Sequence, residues 1–386
     1  MYRLNDEQNA LIDRVTKVAD AVIGPNAAAV DREGTFPRAG IDALAADGLL
    51  GLTVPAEYGG LGQGMRTAVA ALDVVGQRCA STGMVTLMHL CGVACYAAAA
   101  GSSPDADDAL RAVAAGRHLS TLAWSEKGSR SHFWAPVSQA AQEGDRVTLT
   151  ALKSWVTSAG QADGYVVSTR APGGAAPTDS TLYLVVREDA GFEVAGPWDS
   201  LGMRGNASAP MNLKECEIGA GRALSEPGQG FPRMMEILPW FALGNAAISV
   251  GIAEAAVQST TRHLTGQGFE HLGGSALAEL PNLRARLAQM RIETDKARAH
   301  LGAILDAVEA GDPAAQLLVL EAKPAASDAA MRVTDLAMQA CGGAAFSRHL
   351  SVERNFRDAR AASVMAPTSD VLHDFIGKAL CGMPLF

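Results

Sequence analysis

Three short segments of this chain carry side chains that could hold a planar, polar cofactor. The first is Lys153-Ser154-Trp155-Val156-Thr157-Ser158, which closes a run of alternating, β-branched residues. An indole can cover a flat heteroaromatic ring such as a flavin while a neighbouring hydroxyl bonds its edge. The same residues would also serve as a core Trp and a turn Thr. The second segment, Trp124-Ser125-Glu126-Lys127-Gly128-Ser129-Arg130-Ser131, places small hydroxyls and a glycine in a loop after a strand. That suits a polar cofactor edge, or an ordinary Ser-rich loop. The third, Gln339-Ala340-Cys341-Gly342-Gly343, ends a long helical run. Paired glycines there admit a close backbone or a pyrophosphate, or simply stop the helix.

The elements that must position these segments are legible in the periodicity. Up to about residue 116 the apolar residues recur at helical spacing, for example Leu4, Leu11, Val15, Ala19 and Val22. Near Leu119 the pattern changes to short alternating runs: Arg146–Leu152, Gly164–Thr169, Thr181–Val186 and Met211–Cys216. Turn signals separate them, so an antiparallel β domain is expected. From Phe231 the pattern is helical again, in runs long enough for a bundle. The expected division is 1–117, 118–222 and 223–386, within the two or three domains that 386 residues allow.

Composition narrows the function. Charged residues are only 19% of the chain and the net charge is −9, without long basic runs, which argues against nucleic-acid binding. The six cysteines form no CxxC and no zinc-spaced cluster, so buried, reduced thiols and no metal are expected. There is no signal-like N-terminus, and no stretch of about 18 apolar residues without charges or breakers is evident, so a cytoplasmic protein without a membrane segment is expected.

Taken in order, the three segments resemble the acyl-CoA dehydrogenase family of flavoproteins. Supporting motifs are Val54-Pro55-Ala56-Glu57-Tyr58-Gly59-Gly60, Leu201-Gly202-Met203-Arg204-Gly205, and Val352-Glu353-Arg354 followed by Arg357-Asp358-Ala359-Arg360. The resemblance runs from about residue 4 to residue 384. It implies a mostly α, α+β protein with an N-terminal helical domain, a central antiparallel β-barrel-like domain and a C-terminal four-helix bundle. It also implies FAD rather than FMN. Ser125 and Ser131 match positions at the flavin edge, and Trp155 and Thr157 match residues that flank the ring. Gln339, Gly343 and Thr368 match contacts to the ADP part, the first two from a neighbouring subunit. A homo-oligomer, dimer or tetramer, is therefore expected, with an electron-transferring flavoprotein or a flavin reductase as redox partner.

The chain departs from the family where the chemistry is done. The family's usual catalytic Glu is matched by Ala366 in Met365-Ala366-Pro367-Thr368, and the alternative base position by Phe241. Neither takes a proton. Pro239, Trp240, Phe241 and Ala242 replace polar residues, so Trp240, Phe241 and Ala366 are expected to line an apolar substrate pocket, with Trp124 and Trp134 as further pocket candidates. The stretch Gly266–Gly274 lacks the family's arginine for the FAD pyrophosphate. The expected reaction is Cα–Cβ dehydrogenation of an acyl-CoA-like substrate by a relocated base, with Glu126, Glu236 and His89 as candidates, and Asp370 and His132 behind them. The alternatives are a flavin-dependent monooxygenase or oxidase on a non-CoA substrate, and a non-catalytic partner subunit.

Overall fold

The computed structural model describes residues 1–130 and 132–385. Six helices come first: α1 (Asp6–Val18), α2 (Gly24–Glu33), α3 (Arg38–Ala46), α4 (Met65–Arg78), α5 (Ala80–Ala98) and α6 (Pro104–Ala114). The first begins on a capping box, in which Asn5 and Gln8 each bond the other's backbone N–H. The last begins with Pro104 behind the N-cap Ser103. Helix α5 is apolar all round and almost wholly buried.

Seven strands follow: β1 (Ser120–Ala123), β2 (Ala141–Glu143), β3 (Arg146–Val156), β4 (Gly164–Arg170), β5 (Ser180–Val186), β6 (Phe192–Val194) and β7 (Ala209–Gly219). They form two sheets, β1-β4-β5 and β2-β3-β7-β6. One pairing departs from the antiparallel expectation, because β1 runs parallel to β4. The connection between them is long enough for a crossover, since it contains all of β2 and β3. In β3, buried residues alternate with more exposed ones, as a strand with one covered face requires.

The chain then returns to helices with α7 (Gly230–Gly266), a small hairpin of β8 (Gly268–Phe269) and β9 (Ser275–Ala276), α8 (Pro281–Glu309) and α9 (Ala315–Cys341). Short helices α10 (Gly343–Phe346), α11 (Val352–Asp358) and α12 (Ala361–Val364) lead to α13 (Ser369–Leu380). Helices α7, α8, α9 and α13 make the four-helix unit. Helices α5 and α7 are long and apolar enough to cross a membrane by composition, more apolar than the sequence reading allowed, but both are mainly buried within the fold.

The N-terminal helices lock onto this unit. Arg298 on α8 bonds Asp73 on α4 at 2.9 Å and Glu254 on α7 at 3.0 Å, and Tyr2 bonds the same Asp73 at 2.8 Å. Where α4 crosses α7 the helices touch through glycines. A Cβ on Gly251 would sit 2.5 Å from the Asp73 carbonyl oxygen and 2.9 Å from the Gln77 nitrogen. These are backbone atoms and cannot swing aside. Gly251→Ala is therefore expected to lower stability by about 1–3 kcal/mol through overpacking. Urea denaturation checks this, and an unchanged midpoint would refute the tight crossing.

Candidate active site

The β domain presents one cavity towards α5, α7 and the α12–α13 connection. It is lined by Met88, Leu122, Trp124, Ser125, Phe133, Ser154, Trp155, Leu238, Phe241 and Ala366. Strand alternation builds one wall. Ser125 and Ser154 face the cavity, while their neighbours Glu126 and Lys153 turn inward and pair across a bridge between the two segments. The Ser154 N–H also donates to the Ser125 carbonyl at 3.0 Å.

That inward pair is buried on both sides. Lys153 Nζ donates to Glu126 Oε1 at 2.7 Å and also reaches the carbonyl of Ser168. Glu126 Oε2 accepts the backbone N–H groups of Val137 and Ser138 at 2.7 and 2.8 Å, and Oε1 accepts the Ser138 hydroxyl. Burial raises the Glu126 carboxyl, but the Lys153 ammonium and the Ser138 hydrogen bonds outweigh it and hold the group below its ordinary value. Burial lowers the Lys153 ammonium, and Glu126 restores only part of that shift. Glu126 is thus a saturated structural carboxylate and not a base facing the cavity.

The other two candidate bases also stand away from the cavity. His89 on α5 is fully buried. Its Nδ1 accepts the Ser120 N–H at 3.0 Å, so the proton sits on Nε2, which donates to the Leu50 carbonyl at 3.0 Å. Burial lowers it to about 4, and it stays neutral as a bridge between α5 and β1. Glu236 is on the outward face of α7, exposed and paired with Arg233 at 2.5 Å. Asp370 is exposed in the first turn of α13. His132 is exposed, with its ring against Trp134. None of these five lines the cavity, and its lining residues include no titratable carboxylate, imidazole or amine.

The cofactor candidates divide. Ser125 and Trp155 line the cavity. Trp155 has a left-handed backbone (φ 58°) and is 68% exposed, touching Trp198 edge-on at 5.9 Å. Thr157 is buried, and its hydroxyl pairs with that of Ser208 at 2.9 Å. Ser131 lies outside the described residues. Gln339 and Gly343 are exposed at the end of α9, and Thr368 caps α13 by accepting the Val371 N–H. Of the substrate-side candidates, Phe241 and Ala366 line the cavity, whereas Trp240 is half-buried against the core and Trp134 packs on Phe133 and Phe375.

One residue gained a role that sequence reasoning had left open. Trp124 stacks on Phe133 at 5.7 Å in the cavity wall, and its buried indole N–H has no partner among the described residues. A buried unpaired donor is costly unless something else bonds it.

The comparisons with known proteins cover the chain domain by domain. Residues 5–117 match the model of the acyl-CoA dehydrogenase N-terminal domain, 121–216 that of the middle domain and 228–381 that of the C-terminal domain. The chain is 29% identical to cyclohex-1-ene-1-carbonyl-CoA dehydrogenase of Geobacter metallireducens, over 98% of this chain and 99% of that one. It is 28% identical to the human mitochondrial short-chain specific acyl-CoA dehydrogenase, over 95% and 88%. The solved butyryl-CoA dehydrogenase of Megasphaera elsdenii superposes with a TM-score of 0.92 at 23% identity, over 98% and 99%, which establishes a shared fold.

The site geometry makes two predictions. Glu126→Gln strands the buried Lys153 charge and is expected to cost about 3–5 kcal/mol, while Glu236→Gln stays within about 0.5 kcal/mol. Equal effects in urea unfolding would overturn this ranking. The His89 shift also has a sign. The unfolded ring takes up a proton below its ordinary 6.5 and the folded ring only near 4, so His89 removes stability as pH falls between those values. His89→Gln should flatten the fall of Tm in that window relative to the parent protein.

Proposed function

The chain belongs to the acyl-CoA dehydrogenase family, and from that footing we propose that it is a flavin-dependent oxidoreductase whose substrate enters the cavity between Trp155, Phe241 and Ala366. The observation that carries this reading is the cavity itself, with an exposed, left-handed Trp155 at one side and, in its wall, a Trp124 N–H without a partner among the described residues. These features fit the ring of a flavin: a planar apolar face, hydroxyls at Ser125 and Ser154, and a donor that needs an acceptor. FAD, when bound, would supply the two-electron acceptor. Ser125 and Trp155 would hold its ring end, with Ser131 and Thr157 beside it, and Gln339, Gly343 and Thr368 would meet its ADP end.

The residues of this chain then do the positioning. Met88, Leu238 and Phe241 make an apolar wall that excludes water from the reacting carbon. Ala366 leaves room at the place where the family carries its proton acceptor, and takes no proton itself. The leading reading is Cα–Cβ dehydrogenation of an acyl-CoA-like substrate, in which the β-hydride would pass to the flavin and the α-proton to solvent water at the open mouth beside the exposed Trp155. A second reading, oxygen chemistry on a non-CoA substrate, is favoured by the same charge-free lining. A homo-oligomer is supported by the exposed apolar side chains of Phe346, Val364, Leu380 and Met383 on or next to the C-terminal helices, of which Phe346 lies close to Gln339 and Gly343 in sequence. An electron-transferring flavoprotein or a flavin reductase would be the redox partner, and five buried unpaired thiols agree with a cytoplasmic location.

Anaerobic mixing with a panel of acyl-CoAs tests the reading, with the oxidised flavin absorbance as readout. Slow bleaching is expected for the parent protein. Ala366→Glu is expected to speed it by about 10²–10⁴, the usual worth of a positioned general base. No bleaching by either protein, with FAD demonstrably bound, would overturn the acyl-CoA reading. Bleaching by the variant alone would keep the cavity assignment and move the parent protein to oxygen chemistry.

A further inference from the structure

The opposite wall of the cavity rests on a buried lysine with no acidic partner among the described residues. Lys323, on α9, is 1% exposed. Its Nζ donates to the carbonyl of Met365 at 2.8 Å and to that of Pro367 at 2.6 Å, the residues on either side of the cavity-lining Ala366. Two further buried hydroxyls have no partner among the described residues: Ser327, one turn along the same face of α9, and Ser369, two residues beyond Pro367. From α7, Asn245 donates to the Met365 sulfur at 3.5 Å. A polar group set behind an apolar wall is retained at a cost, because burying an ammonium without an anion is unfavourable.

We propose that Lys323 is a positioning residue that fixes the cavity wall at Ala366 through the two flanking carbonyls and couples the placement of that wall to proton uptake. The inference rests on the cavity being the substrate site only for its consequence, not for its geometry. Burial alone lowers the amine, to about 7, and no charged group contributes. The acids on the surrounding elements are engaged or outside. On α9, Glu321 faces His300 of α8 at 3.8 Å and Asp328 is exposed; on α7, Glu254 pairs with Arg291 and Arg298 and Glu236 with Arg233; on α13, Asp370 is exposed; on α11, Asp358 accepts the Met203 N–H. The sign follows from linkage. When the segment around Ala366 opens, the lysine returns to water and its ordinary value of 10.5, so opening takes up a proton between about pH 7 and 10.5. The wall is therefore held most firmly at alkaline pH, when the amine is neutral and still donates both bonds, and opens more readily as pH falls towards 7.

Hydrogen exchange over residues 361–372, corrected for intrinsic rates, tests this on the FAD-loaded protein, alongside calorimetric binding of butyryl-CoA. From pH 7 to pH 9 the parent protein should gain about tenfold or more in protection there, in a window above the titration of Asp358, which burial raises to about 6. Lys323→Met should show protection that is lower at pH 9 and flat with pH, and butyryl-CoA affinity that has lost its pH dependence. A flat profile in the parent protein overturns the proposal, even if the variant does not fold. A pH-dependent wall in a protein that binds no butyryl-CoA would sustain the positioning role and sink only the substrate reading.

Discussion

The buried pair between Lys153 and Glu126 is the contact on which the rest of the site depends. It joins two segments distant in sequence, and each contributes the next residue to the cavity: Ser125 beside Glu126, and Ser154 and Trp155 beside Lys153. The pair also anchors the loop beyond, because Glu126 accepts the N–H groups of Val137 and Ser138. Phe133, in that loop, carries the ring on which Trp124 stacks. Such a pair contributes little net stability over an apolar substitute, since both charges have lost their water. Its worth here is geometric. It fixes one register between loop and strand, and any slip would turn the cavity residues inward.

Much of the architecture was legible in the sequence because its signals are local. Alternation marked β3, β4, β5 and β7, and helical spacing marked the terminal domains. The parallel pairing of β1 with β4 was not legible, since strand direction is set by where a long connection returns. The candidate bases illustrate the harder case. Glu126 and His89 are the right residue types next to the right positions, yet a one-residue step along the chain turns a side chain to the other face. Each then found partners separated from it by 12 to 39 residues, as with Ser138, Lys153, Ser120 and Leu50. No local spacing encodes such contacts.

The cavity's lining can be set beside the residues the sequence singled out for it. Ala366 and Phe241 do line it, and their side chains cannot take a proton. Trp124 carried a weaker signal. An indole directly before a hydroxyl loop reads as core packing, and only the absence of a partner for its N–H gives it a further meaning. Trp155 differs again. Its identity was visible in the sequence, but the left-handed backbone that leaves it 68% exposed was not.

The two walls of the cavity share a device and differ in its consequence. Each is backed by a buried lysine that is not among the lining residues and grips backbone carbonyls: Lys153 behind Ser154 and Trp155, Lys323 behind Ala366. Lys153 has a carboxylate against it, so the β-domain wall carries a fixed, neutralised pair. Lys323 has none, and burial brings its amine to about 7. A carboxylate at position 366 would project from the turn that Lys323 holds, where charge on the turn and charge on the lysine would interact strongly in a low dielectric. With alanine there, the lysine is left as the ionisable group behind that wall. The alanine that lines the cavity and the lysine with no carboxylate against it thus meet at the same turn.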